Sequence, residues 1–240
     1  MDKFSVQLGR VTIYRSIPNG VKYACMFSGG KDSGLALAVA LSSNRNLHSL
    51  LHGIDLYDGT SLYHDQDIKI VQAQAEAIGV PLHTVPNTIR WTHWGKLVNV
   101  FRNLYQQGVE YIVYGTLFDE EYAKYHGTLC NGVGLKICMP LWNKTPQELM
   151  NFIKVHKIKS VITNIDARKL PSDFLGQVYD QNVYDFCVSL GLHPFGEYGE
   201  FHTTLVYSDY FAYPLQYRLG KITDQQVELL LVNSLYSENS

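Results

Sequence analysis

The 240-residue sequence predicts an α/β fold: an open, mainly parallel twisted sheet with helices on both faces, followed by a smaller C-terminal α/β segment. Two observations carry this expectation. Short apolar runs alternate with helix-period segments from Val21 to Val113, the pattern of strand-helix units that build a parallel sheet. Gly79 and Gly108 close two of the helical segments, as glycine does where a chain leaves a helix in a left-handed conformation.

Taken in order, Val21–Phe27 reads as a strand, Ser33–Ser42 as an alanine- and leucine-rich helix, and Leu47–Ile54 as a second strand. Asp65–Ile78 reads as a helix and Val80–Val85 as a third strand. Trp91–Gln107 is a second long helix, and Val109–Tyr114 the next strand. Before this core, Phe4–Ile17 alternates in the manner of a β-hairpin added to the sheet edge. After Pro140, the run Thr145-Pro146-Gln147-Glu148 places Thr at the N-cap, Pro at N1 and Glu at N3 of a helix. Ser160–Ile165 is strand-like. Thr223–Tyr236 is apolar enough for either a helix or a strand.

With 46% hydrophobic residues the chain can bury a sizeable core. Its 20 basic and 22 acidic residues nearly cancel, which argues against non-specific nucleic-acid or membrane-surface binding. The uncharged stretch from Ser33 to Asn44 is too short to span a bilayer, and no apolar signal segment follows Met1. Cys25, Cys130, Cys138 and Cys187 form no C-x-x-C pair, which argues against a zinc ribbon or a thioredoxin-like couple. Reduced thiols in a soluble, cytoplasmic protein are the expectation.

The residues that carry chemistry begin at Ser28-Gly29-Gly30-Lys31-Asp32-Ser33, set between the strand Tyr23–Phe27 and a helix. Adjacent glycines let the backbone turn tightly and bring N–H groups against phosphate oxygens. The helix start adds free N–H donors and a positive end. Ser28 and Ser33 offer hydroxyls, and Lys31 a point charge for a polyphosphate. Asp32 is the informative residue, because a carboxylate beside phosphates makes sense as a ligand of a bridging Mg²⁺. A Walker A loop fits poorly: Cys25 falls where its first glycine belongs, and Asp32 where Ser or Thr belongs.

This loop resembles the SGGKDS motif of the PP-loop ATP pyrophosphatases. That resemblance implies the nucleotide-hydrolase type of α/β fold and ATP with Mg²⁺ as cofactors. It also implies transfer of AMP to a substrate oxygen with release of pyrophosphate. On this basis residues 1–137 are expected to form the ATP-binding domain, with an edge hairpin within 1–20, and residues 138–240 a substrate-side segment.

Further motifs resemble diphthine-ammonia ligase and its bacterial relatives, from Val21 to about Asp209. The strongest is Gly196-Glu197-Tyr198-Gly199-Glu200-Phe201-His202-Thr203, similar to the family's G-E-x-G-E-[FY]-x-T signature. Pro140-Leu141-Trp142, Ser61-Leu62-Tyr63-His64, and Phe174–Gln177 with Asp166 upstream add to it. Glycines before each of Glu197 and Glu200 let that loop fold close to a ligand, and the paired carboxylates could bind ammonium and accept its proton. His64 is a nucleotide-side candidate through the family match. Asp55, at the end of the strand Leu47–Ile54, is one by its position at a strand's C-terminal end. Trp91, His93, Trp94 and Trp142 could stack on a base, though packing explains most such rings.

One segment departs from the diphthine ligases. After Tyr114 they carry arginines and a glutamate shortly before a cysteine, where this chain has Asp119-Glu120-Glu121-Tyr122-Ala123-Lys124-Tyr125-His126-Gly127. Cys130 and Gly134-Leu135 keep the register. The expectation is therefore an AMP-forming amide ligase using Lys31, Asp32, Glu197 and Glu200, with a small-molecule or modified side-chain acceptor of which diphthine is not the preferred one. Ammonia or an amine would be the nitrogen source. A tRNA-modifying PP-loop enzyme and a non-catalytic ATP sensor are the alternatives, and homodimerisation stays open.

Overall fold

The computed structural model describes residues 5–54, 67–86 and 94–232. At the centre of its main sheet lies β3 (Lys22–Met26), whose alternate side chains face opposite sides. Tyr23 and Cys25 enter one core, and Ala24 and Met26 the other. A strand buried on both faces needs an almost continuous apolar run. The sequence KYACM supplies it.

Parallel to β3 on one side run β4 (Leu47–Ile54) and then β5 (Leu82–Pro86); on the other run β6 (Val109–Val113) and β7 (Lys136–Cys138). A hairpin of β1 (Ser5–Leu8) and β2 (Val11–Tyr14) completes the edge, with β2 parallel to β7. The order β1-β2-β7-β6-β3-β4-β5 makes seven strands, all parallel except β1. The chain reverses its direction of growth between β3 and β6, so the crevice outside their C-terminal ends is where such a sheet holds a ligand.

Helices cover both faces. On one side α1 (Lys31–Ser43), α2 (Ile68–Ile78) and α5 (Pro146–Val155) share a core through Leu35, Leu37, Val71 and Leu149. On the other, α3 (Trp94–Gln106) and α4 (Glu120–Asn131) contribute Leu97, Phe101, Leu129 and Cys130. Local signals set several of these ends. Gly79 caps α2 at φ 79°, and Thr145 with Glu148 forms the reciprocal capping box at the start of α5. Helix α1 begins at Lys31, two residues before its predicted start, because extended Gly30 is its N-cap. Lys31 and Asp32 therefore belong to the first helical turn.

The remaining chain adds β8 (Lys159–Ile165), α6 (Gln181–Ser189) and β9 (Phe201–Tyr207), with β8 and β9 antiparallel. Val161, Ile162 and Leu205 enter the same core as α1. The segment left open between helix and strand holds β11 (Val227–Leu231), paired with β10 (Tyr217–Ile222) across a bulge. All four cysteines are buried and free. Among the described residues no helix is long and apolar enough to cross a membrane.

Candidate active site

A cleft of about 350 Å³ opens at the C-terminal ends of β3 and β6, and three chain segments wall it. The first is the Ser28–Ser33 loop. Gly29 takes φ 87°, which a residue with a Cβ rarely adopts. The Ser28 and Ser33 hydroxyls are hydrogen-bonded at 3.0 Å, and Ser33 Oγ also donates to the Gly30 carbonyl. The N–H groups of the first turn of α1 have no acceptor within the helix. One of them, from Lys31, donates to Thr203 Oγ1 at 3.1 Å.

Lys31 is 4% exposed and its ammonium points inward. Nζ donates to the Phe195 carbonyl at 2.6 Å and to Asp32 Oδ2 at 2.8 Å. Tyr179, Phe195 and Phe201 present their rings to it at 5.3–5.8 Å. An ammonium has three protons, so one is left for a ligand. The other Asp32 oxygen, Oδ1, is buried with no hydrogen-bond partner.

The second wall is the Gly-Glu-Tyr-Gly-Glu turn, in which Gly196 and Gly199 adopt φ 72° and 73°. A Cβ on Gly196 would lie 2.7 Å from the Phe201 carbonyl oxygen, so glycine is required there. The two glutamates separate. Glu197 lines the cleft, and burial, followed by the Asp32 carboxylate, pushes its pKa up to about 7. Glu200 is 2% exposed, and its oxygens accept from the His193 and Tyr198 N–H groups. The two glutamates are thus placed differently: Glu197 faces the cleft, while Glu200 is held by backbone N–H groups within the turn.

The third wall follows β6: Gly115, Thr116, Asp119 and Tyr122. Gly115 passes so close to α1 that a Cβ would lie 2.8 Å from Asp32 C and Ser33 N. Asp119 caps α4 by accepting from the Tyr122 N–H at 2.9 Å. Behind them, Tyr114 OH and His126 Nδ1 are hydrogen-bonded at 3.1 Å, and burial pushes His126 down to about 3.

Asp55, His64, Trp91 and His93 lie outside the described residues. Trp142 is a core residue, 2% exposed. Sequence reasoning missed Gln74, which is fully buried on α2 and donates from Nε2 to the Gly29 and Leu205 carbonyls. It also missed what Thr203 does. Leu205 N–H donates to the Gly29 carbonyl as well, so β9 is stitched along the phosphate loop.

A doubly wound sheet with this loop at its switch point is the PP-loop type of α/β fold. More narrowly, residues 21–137, just under half of the chain, match the family model described as the diphthamide synthase N-terminal domain. The matched span holds the phosphate loop, Gly115, Asp119 and Tyr122; the Gly196–Thr203 turn lies beyond it. No curated protein matches the chain.

Proposed function

We propose that this protein is a cytoplasmic AMP-forming ligase that activates an acceptor's carboxyl or carbonyl oxygen with ATP and amidates it with ammonia or an amine. One observation carries the proposal: Glu197, whose pKa burial pushes up to about 7, faces the phosphate loop and Asp32 across one cleft. A nucleotide site alone has no use for such a group. A nitrogen nucleophile that must lose a proton beside a phosphate-activated carbon does.

The residues divide the work. The first-turn N–H groups of α1 and the hydroxyls of Ser28 and Ser33 hold phosphate oxygens. Lys31 fixes Asp32 on one side and offers its third proton to the departing pyrophosphate. Among the described residues no three metal-binding side chains cluster. Asp32 Oδ1, buried and unpartnered, suits a Mg²⁺ that arrives on the phosphates, since that ion commonly takes one or two carboxylates plus phosphate oxygens. Bound there, it would neutralise charge on the leaving group. Glu197 takes the proton of the attacking nitrogen.

The acceptor in this reading is not diphthine. The wall after β6 presents Asp119 and Tyr122 instead of the arginines expected of diphthine ligases, and His126 and Gly127 turn into the core. A Cβ at Gly127 would collide with Val11 Cγ1, so a larger residue has no room there.

Hydroxylamine tests the proposal, because it captures an acyl-adenylate as a hydroxamate. With ATP, Mg²⁺ and a panel of carboxylic acids, a hydroxamate should form with at least one acid and AMP should appear in equal amount. AMP formation without hydroxamate, in a panel that includes the acid stimulating turnover, would remove the acyl-adenylate step.

A further inference from the structure

We infer that the nitrogen nucleophile is an organic primary amine with an apolar body, seated between Phe118-Asp119 on one lip of the cleft and Glu197-Tyr198 on the other. The inference rests on the ligase reading above. Each lip carries a carboxylate that lines the cleft and, next to it in sequence, an exposed aromatic ring. The Phe118 and Tyr198 rings are 6.2 Å apart, and His193 touches both, at 5.7 and 5.6 Å. The two lips therefore meet through three rings, two of them next in sequence to the cleft-lining carboxylates.

Ammonium needs only the carboxylates. Rings at 39% and 67% exposure, each adjoining a cleft-lining carboxylate in sequence, add what a larger cation needs: apolar contact for its body and a π face for its charge. Burial lowers the His193 pKa. Among the described residues Lys31 is the only lysine or arginine lining the cleft, and it is already paired with Asp32. Lys169 approaches the outer lip, where it donates to the Tyr198 carbonyl at 2.7 Å with Asp166 at 4.0 Å. A carboxylate ligand would have to compete for that committed ammonium. In the reaction, the amine nitrogen bonds to the acyl carbon, and the carbon–oxygen bond to AMP breaks with its electron pair leaving on AMP. The bound ammonium first gives one proton to Glu197 to become the nucleophile, and the second proton, lost once the carbon–nitrogen bond has formed, leaves to solvent.

Benzylamine, ammonium chloride and sodium benzoate serve as probes, titrated into the full chain with the phosphate loop saturated by a non-hydrolysable ATP analogue and Mg²⁺, and followed by ligand-observed NMR or calorimetry. Benzylammonium should bind in the millimolar range and more tightly than ammonium, while benzoate should not bind. Phe118→Ala and Tyr198→Ala, both at exposed positions, should each weaken benzylammonium by about threefold to fivefold, and Asp119→Asn, which keeps a capping side chain, should weaken it further. Benzoate binding as well as benzylammonium would overturn the inference, as would benzylammonium binding that neither ring substitution changes. Pyrophosphate release measured on the same preparations separates the two readings. AMP and pyrophosphate without amine binding would end the amine inference alone, and ADP formation would end the ligase reading itself.

Discussion

The Thr203 hydroxyl accepts the backbone N–H of Lys31 at 3.1 Å across 172 positions of sequence, joining the C-terminal signature strand to the phosphate loop. Thr203→Val would keep the shape and leave that buried N–H unpaired. The expected cost is about 1–3 kcal/mol of stability, with weaker ATP binding because the loop loses its outer support. Thr203→Ser should restore both. Chemical denaturation and calorimetric ATP titration check this, and equal behaviour of the valine and serine variants would show that the contact carries nothing.

That relationship also marks where sequence reading stops. The loop was legible because its chemistry is contiguous, and the central strands because burial on both faces leaves near-unbroken apolar runs. Caps at Gly79 and Thr145 were legible for the same local reason. Three residues of β7 are too few to show a period, and α4 was hidden by a polar, tyrosine-rich sequence whose helix start rests on Asp119. In β11 the alternation of buried Val227 and Leu229 around exposed Glu228 distinguishes strand from helix only once β10 is known to pair with it. Glu197 and Glu200 looked equivalent in the signature. Their difference arises from which one the fold surrounds with backbone N–H groups, and Gln74 gave no signal because its partners are two distant carbonyls.

Gly115 is required by the close approach of α1. In Gly115→Ala the new methyl would meet backbone atoms of Asp32 and Ser33 at 2.8 Å, so the helix start must shift. We expect a loss of about 1–3 kcal/mol and at least a tenfold loss of ATP affinity. Gly132→Ala is the control: that glycine has φ −62° and room for a methyl, its nearest atoms being 3.4 Å away. It should be neutral or stabilising by up to about 1 kcal/mol. Thermal melts and ATP titrations on both variants decide the matter.

The two glutamates should fail differently. Glu197→Gln should leave ATP affinity within about threefold and lower turnover by roughly 10²-fold. Glu200→Gln loses one of two oxygens that accept backbone N–H groups and should lower the melting temperature. Burial raises the Glu197 pKa from 4.5 to about 7, so ionisation disfavours the folded state. The parent's stability should therefore fall as pH rises from about 4.5 through about 7, and Glu197→Gln should flatten that fall. Turnover should rise through about pH 7 as the base form appears. A pH–rate profile unchanged by Glu197→Gln would remove Glu197 from proton transfer.

A cell lacking diphthine-ammonia ligase should not be rescued by this chain. The expectation follows from the wall after β6, where Asp119 and Tyr122 line the cleft and Gly127 packs on Val11. Growth in the presence of a toxin that recognises the finished modification reads the outcome, and full sensitivity would mean that diphthine is a substrate after all.

The central claim is cleavage between the α and β phosphates at the Ser28–Ser33 loop. ATP labelled in the α position in one reaction and the γ position in another, each with Mg²⁺ and an acid panel, tests it most directly. Asp32→Ala should lower the rate by about two or three decades. The α label should appear in AMP and the γ label in pyrophosphate, in equal amounts and only with the intact loop. The α label in ADP and the γ label in free phosphate would contradict the account.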